Sequence, residues 1–249
     1  MTEQRWNPEG YARNARFVSD LGQPVLELLA PVAGERVLDL GCGDGILTRK
    51  ICEAGCTVVA VDSSDEQVAA AQAEGLDARV EDAESLPFDG EFEAVFSNAV
   101  LHWVKDHDAM LDGVSRALVP GGRFVAELGG AGCVHEIRSA LHASLAGRGV
   151  DAVALDPWFF PTPGEYEALL DRHHFAVDSL DLFPRPTPLP GDVSGWLETF
   201  AQPFLGGVPE SERSHVIDEV REALRPKLYT EERGWVADYV RLRFCVRRP

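Results

Sequence analysis

Short apolar runs alternate with amphipathic stretches along the first half of the chain, and that alternation predicts its elements. Arg36-Val37-Leu38-Asp39-Leu40 is a compact apolar run bounded by turn residues, as in a buried strand. Gly41-Cys42-Gly43-Asp44-Gly45 follows, then a helix from Ile46, apolar at 46, 47 and 51, that stops at Gly55. Residues 57–61 read as a second strand ending at Asp62. Ser63 and Glu66 are expected to form a capping box for a helix over 68–73 that Gly75 ends. Residues 78–80 and 93–96 predict two further strands. A helix over 106–118 carries Met110, Leu111, Val114, Ala117 and Leu118 on one face. Pro120-Gly121-Gly122 reads as a turn and 123–128 as a fifth strand. Strand and helix alternating at this short period imply right-handed βαβ units and a mainly parallel sheet.

The pattern loosens after Gly129. Helices are expected over 134–145 and 162–173, with the aromatic stretch Pro157-Trp158-Phe159-Phe160-Pro161 between them, and a strand over 175–183. The four prolines of 184–190 exclude a helix or a central strand there, because each removes a backbone donor. Two more helices are expected over 193–200 and 211–224. The last run, 238–246, alternates with period 2: Tyr239 and the arginines oppose Val240, Leu242 and Phe244, which suits an antiparallel strand near a sheet edge. The whole chain, 1–249, is therefore expected to be one domain. It would comprise an N-terminal helical lid over 1–30 carrying Trp6, Tyr11 and Phe17, a first half over 31–130, and a second half over 131–249 with a helical insertion near 191–226.

Charge sharpens this picture. The chain carries 41 Asp and Glu against 23 Lys and Arg, a net −18. Residues 1–130 hold 23 acidic and 10 basic side chains, so −13 of that total lies in the first half. A field of this sign repels phosphate backbones, so no nucleic acid and no anionic membrane is expected as a partner. The five cysteines (Cys42, Cys52, Cys56, Cys133, Cys245) are odd in number and irregularly spaced, which favours reduced thiols in a cytoplasm over a disulfide framework. Cys52 and Cys56 lie one helical turn apart without a CxxC pair or histidine partners, so no metal site is expected. No apolar run is long enough to span a membrane.

The most chemically specific segment is the glycine loop. Glycines at a strand-to-helix turn let the backbone bend tightly and approach a ligand closely. Asp62, at the end of the next strand, is placed to accept hydrogen bonds from a ribose diol. In a nicotinamide-type fingerprint the third glycine falls three residues after the second, and helix-terminal amides face a pyrophosphate. Here it falls two residues after, and Asp44 stands inside the loop. A carboxylate there is unfavourable beside a pyrophosphate and acceptable beside a cation.

Val37-Leu38-Asp39-Leu40-Gly41-Cys42-Gly43-Asp44-Gly45 resembles the first motif of class I S-adenosylmethionine-dependent methyltransferases. Further motifs follow in the family's order. Asp62 corresponds to the acid that meets the ribose hydroxyls, with Ser63 beside the adenine. In Glu81-Asp82-Ala83-Glu84-Ser85-Leu86-Pro87-Phe88, Asp82 would meet the adenine amino group with Ala83 packed nearby. Ser97-Asn98-Ala99-Val100-Leu101-His102-Trp103 resembles the motif ending the fourth strand, and Leu118-Val119-Pro120-Gly121-Gly122 the turn before the fifth. Within the class the chain looks most like the trans-aconitate and malonyl-carrier-protein methyltransferases, over residues 1–128. The resemblance implies an α/β, Rossmann-like fold: a seven-stranded, mainly parallel sheet in the order 3-2-1-4-5-7-6, with helices on both faces and a helical cap. It implies S-adenosylmethionine as cofactor and S-adenosylhomocysteine as product. The residues it assigns to the cofactor are Tyr11, Asp39, Gly41, Cys42, Gly43, Asp62, Ser63, Asp82, Ala83, Asn98 and Ala99.

Displacement at a sulfonium needs alignment and exclusion of water more than help for the leaving group. The acceptor is expected to be a small molecule methylated on oxygen. A carboxylate would need no base, whereas a hydroxyl would need one, and His102 is the first candidate base with His135 the second. Trp158, Phe159, Phe160, Trp196, Phe200 and Phe204 are candidate linings of an apolar acceptor site, and a monomer or homodimer is expected. Two other readings stay open: a nicotinamide-dependent oxidoreductase, and a methyltransferase-like nucleoside-binding protein without turnover.

Overall fold

The protein is described from a computed structural model, which defines Gln4 and residues 21–249. Most of the expected lid over 1–30, including Trp6, Tyr11 and Phe17, lies outside the described residues. The described chain forms two compact units. One comprises 21–131, 159–183 and 241–249, the other 132–158 and 184–240.

The first unit is built on one sheet. In chain order it contains α1 (Gln23–Leu29), β1 (Arg36–Leu40), α2 (Ile46–Glu53), β2 (Thr57–Asp62), α3 (Asp65–Ala73), β3 (Ala78–Val80), β4 (Phe92–Asn98), α4 (His107–Ala117) and β5 (Leu118–Gly129). After the second unit's first segment, which holds α5 (His135–Ala146), come α6 (Pro163–Arg172) and β6 (Ala176–Pro184). The final strand of the sheet is numbered last in the chain, β10 (Val240–Arg247). The sheet order is β3-β2-β1-β4-β5-β10-β6. With β10 counted as the seventh strand of this sheet, that is the order the family resemblance implies. β1 pairs in parallel with β2 and β4, β4 with β5, and β10 runs antiparallel to β5.

The strands are apolar on both faces because each side of the sheet carries helices. Alternate residues feed different cores. Val37, Ala94, Phe96 and Val125 pack with Val25 and Leu29 of α1 and Leu47 and Ile51 of α2. Leu38, Leu40, Val95, Phe124 and Leu128 pack on the other face with Met110, Leu111 and Val114 of α4 and Tyr166 and Leu170 of α6.

Several local expectations change. Ser64, not Ser63, caps α3: its hydroxyl accepts from the Gln67 amide at 3.3 Å, while the Ser64 amide is held by Asp62 Oδ1 at 2.9 Å. The expected turn at 120–122 is absorbed into β5 as an irregularity. Gly121 sits at φ +78° and pairing with β4 jumps from Phe92–Leu118 to Ala94–Arg123. β10 lies between β5 and β6, one strand from the edge as expected, but the face expected to be polar is largely covered: Arg241 is only 2% exposed.

The second unit holds α5, α7 (Val193–Phe200), α8 (Glu210–Leu228) and a small sheet of β7 (Thr187–Pro188), β8 (Tyr229–Thr230) and β9 (Gly234–Ala237), in the order β7-β9-β8. That sheet was not foreseen. β7 lies within the proline-rich stretch and is tolerated because it is a two-residue edge strand. Trp158, Trp196, Phe200 and Phe204 pack ring against ring, with centroids 5.2–5.9 Å apart, and Trp196 Nε1 donates to the Tyr239 hydroxyl at 2.6 Å. All four aromatics are buried, so in this unit they are core. No helix among the described residues is long and apolar enough to cross a membrane.

Candidate cofactor and active site

The glycine loop joins β1 to α2 at the C-terminal end of the parallel strands. It turns through three left-handed residues, Gly41 (φ +79°), Gly43 (φ +56°) and Gly45 (φ +81°), the last capping α2. The amides of Gly41 and Cys42 donate to the Val61 carbonyl at 2.7 and 2.9 Å, which pins the loop to the end of β2. The first and second glycines have different reasons. A Cβ at Gly41 would lie 2.2 Å from Val100 Cγ2, so the loop touches the segment after β4. A Cβ at Gly43 would meet nothing within 4 Å, so backbone there faces open space.

Carboxylates border this space. Asp62 Oδ2 accepts from the Gly43 amide at 3.0 Å. Burial pushes the Asp62 carboxyl up, and the amides of Ser64, Gly43 and Ser63 oppose that. Asp39 is 2% exposed and lies on the face of β1 that meets α2. Its carboxyl is raised to about 7 by burial and by the charge of Asp62, against a hydrogen bond from Thr48. Burial, with the charges of Asp39 and Asp62, also pushes the Cys42 thiol up, so it is not a nucleophile. Asp44 turns back on the first turn of α2, its Oδ1 3.4 Å from the Ile46 amide. Ser63 is exposed beside Asp62. Asp82 Oδ1 accepts from the Glu84 amide at 2.9 Å and caps the single turn Ala83–Ser85, on which Ala83 is half-buried. Asn98 ends β4, and Ala99 takes a left-handed φ of +61° with its amide donating to the Glu127 carbonyl at 2.7 Å. Tyr11 lies outside the described residues. Backbone open at Gly43 and several carboxylates, with no cluster of cations among the described residues, fit a cationic nucleoside cofactor and not a pyrophosphate.

His102 sits on the single turn Leu101–Trp103 after β4, 8% exposed, its ring 5.6 and 5.7 Å from those of Trp103 and Phe160. The Gly129 amide at the end of β5 donates to its Nδ1 at 3.2 Å. A backbone N–H can only donate, so Nδ1 holds its lone pair there and the ring proton resides on Nε2. Burial, the charge of Arg241 and the nearby His107 lower its pKa well below the usual value, which keeps the ring neutral. His102 as placed is a hydrogen-bond donor. Its other nitrogen, Nδ1, accepts from the Gly129 amide. His135 begins α5 in the second unit and is exposed.

Pattern reading missed three residues near these groups. Thr48 Oγ1 donates to Asp39 Oδ2 at 2.5 Å, both fully buried. Glu127 on β5, with no exposed side-chain surface, accepts from Arg243 Nε and Nη2 at 3.0 and 2.7 Å, with Arg241 Nε 3.8 Å from its other oxygen. Gly129 fixes the His102 tautomer. The available signal was a lone acid in the apolar run Phe124-Val125-Ala126-Glu127-Leu128.

Comparison with known proteins decides the family. Residues 38–126 match the methyltransferase domain family. An uncharacterised methyltransferase of Schizosaccharomyces pombe is 36% identical over the full length of both chains. The chain is a class I S-adenosylmethionine-dependent methyltransferase. A trans-aconitate 2-methyltransferase of Mycolicibacterium gilvum is 40% identical over 111 residues, 43% of this chain and 42% of that protein. A putative methyltransferase of Bacillus halodurans superposes with a TM-score of 0.64 at 16% identity, covering 93% of this chain and 99% of its own. Geranyl diphosphate C-methyltransferase of Streptomyces coelicolor, solved with geranyl diphosphate and S-adenosylhomocysteine, gives 0.56 at 19% identity over 94% of this chain and 80% of its own. These two solved structures show the shared fold. Membership of the methyltransferase family sets the oxidoreductase reading aside, and the cofactor of the enzyme is S-adenosylmethionine.

Proposed function

We propose that this enzyme methylates an oxygen of a small-molecule acceptor, and that the oxygen belongs to a carboxylate. The observation that carries this reading is the hydrogen bond from the Gly129 amide to His102 Nδ1. A hydroxyl or protonated amine must lose a proton during transfer, and His102 has no free basic nitrogen to take it. A carboxylate loses none and needs only donors to hold it. The His102 Nε2–H is such a donor, and the charge of Arg241 that disfavours imidazolium also favours an anion.

Bound S-adenosylmethionine supplies the activated methyl group; the chain supplies position and charge. In this reading Asp62 holds the ribose hydroxyls with Ser63 beside the adenine, and Asp82 and Ala83 form the adenine site. The backbone of 41–43, Cys42 included, approaches the cofactor from the β1 side, and Asn98 and Ala99 close it from β4. Asp39 contributes negative charge behind the loop, Tyr11 is assigned to the methionine end, and His135, the second candidate base, has no proton to take from a carboxylate acceptor. The trans-aconitate 2-methyltransferase relative supports a carboxylate acceptor by its name alone.

The test is transfer of labelled methyl to matched panels of carboxylic acids, alcohols and amines. Base-labile methyl esters are expected as products, with His102→Phe losing turnover while cofactor affinity holds. Transfer confined to alcohols or amines, or full activity of His102→Phe, would overturn the assignment.

A further inference from the structure

Thr48 belongs to none of the family motifs quoted above, yet its hydroxyl donates a hydrogen bond to the buried carboxylate of Asp39 behind the glycine loop. Asp39 and Thr48 are 2% and 1% exposed, and Thr48 Oγ1 lies 2.5 Å from Asp39 Oδ2. The groups facing Asp39 are Asp62 at the end of β2, the Cys42 thiol on the loop, and Thr48 and the Cys52 thiol from α2. Its register neighbour on β4 is Phe96, which does not titrate. Asp39 is therefore a carboxylate whose charge is opposed by burial and by a second carboxylate, and upheld by a single hydroxyl.

Methyl transfer turns a sulfonium into a neutral thioether and leaves the rest of the cofactor unchanged. Donor and product thus differ by one positive charge, and a carboxylate whose own charge is in the balance can tell them apart. We propose that Thr48 is a specificity-determining residue: by holding Asp39 ionised, its hydroxyl makes the site prefer the cationic donor over the neutral product. The proposal rests on S-adenosylmethionine being the cofactor and not on the identity of the acceptor. When Asp39 is protonated, donor and product meet the same neutral group. When it is ionised, the repulsion between Asp39 and Asp62 is relieved more by the donor.

The sign follows from linkage. A bound cation stabilises the ionised carboxyl, so donor binding lowers the Asp39 pKa and expels a fraction of a proton near and below pH 7. Donor affinity then rises with pH up to about 7 and levels off above it, and product affinity rises less. The amino-acid tail is common to both ligands, so its titration cancels in their ratio. Thr48→Val keeps the shape, removes the hydroxyl and moves the rise to higher pH.

The experiment is isothermal titration of the full chain with S-adenosylmethionine and with S-adenosylhomocysteine from pH 6 to 8.5, in phosphate and in Tris, whose different ionisation heats count the protons released. The wild type is expected to show a donor-to-product affinity ratio that climbs with pH and a proton release larger for the donor. Thr48→Val is expected to lower that ratio by up to about fivefold at pH 7, the effect of one unit of carboxyl shift on a group titrating near 7, and Thr48→Ser to restore it. Asp39→Asn, checked for folding by its melt, should give a low ratio that does not vary with pH. A wild-type ratio constant across the range, or a Thr48→Val effect equal for both ligands, overturns the proposal. Failure of the wild type to bind either ligand would instead overturn the cofactor assignment, and the proposal with it.

Discussion

Asp62 offers the sharpest test of how the loop is held. Its two oxygens accept from two backbone amides, Oδ2 from Gly43 at 3.0 Å and Oδ1 from Ser64 at 2.9 Å. Both bonds are to a charged group, and such bonds contribute about 1.5–3 kcal/mol each. Asp62→Ala removes the tie between β2 and the open backbone of Gly43 and, in the proposed site, the ribose acceptor as well. Cofactor affinity should fall by about 1.5–3 kcal/mol, roughly 10- to 150-fold. Asp62→Asn is informative because it keeps the volume. Its amide has one acceptor oxygen, so its NH2 must face one of the two amides donor to donor, and its affinity should lie near that of the alanine variant. Ser64→Ala serves as the control: it removes the α3 cap, worth about 1 kcal/mol of stability, without touching Asp62. Isothermal titration with S-adenosylmethionine beside a urea melt separates the two quantities. If Asp62→Asn binds within twofold of wild type, or if Ser64→Ala weakens binding as much as Asp62→Ala, the reasoning fails.

Other outcomes follow from the same geometry. Gly41→Ala meets Val100 at 2.2 Å and also a φ of +79°, so it should destabilise the fold by about 2–4 kcal/mol, with Val100→Ala recovering only the steric share in a urea melt. Gly43→Val meets no neighbour, so it should melt close to wild type yet lose cofactor binding; retained binding would contradict close backbone approach. Glu127→Ala leaves two arginines around a fully buried position and should cost about 3–5 kcal/mol by chemical denaturation. His107 is held down to about 4, chiefly by burial, while its unfolded value is 6.5. The unfolded chain therefore takes up a proton first, and stability should fall by about 3 kcal/mol between pH 6.5 and 4. His107→Phe should flatten that part of the stability–pH curve; an unchanged slope would show that other groups govern it.

What the sequence made legible was whatever its local pattern could encode. The run from Val37 to Gly45, Asp62 at the end of β2 and the alternation of strands and helices follow from short-range periodicity and turn chemistry, whereas the order of the strands came only from the family resemblance. The His102 tautomer was illegible because it depends on the amide of Gly129 on a different strand. Arg241 was read as polar-face because period 2 distinguishes two faces and not what covers each. The charge that neutralises it, Glu127, comes from the neighbouring strand. Thr48 looked like an ordinary helix residue, since nothing local reveals that its side of α2 meets a buried acid. The Ser63–Ser64 slip is of another kind. Both residues suit a cap, and the choice is made by Asp62 capturing the second amide.

The interior position of β10 bears on how the chain acquires its sheet as it is made. Synthesis runs from one end, and β5 is finished more than a hundred residues before its antiparallel partner exists. During that interval the Phe124–Leu128 edge has bare amides and carbonyls, and β6 has no strand to join. A nascent polypeptide with such an edge is open to mispairing with other chains. The protein should therefore depend on ribosome-associated chaperones more than a sheet built in translation order, and slowing elongation between codons 130 and 240 should lower its soluble yield.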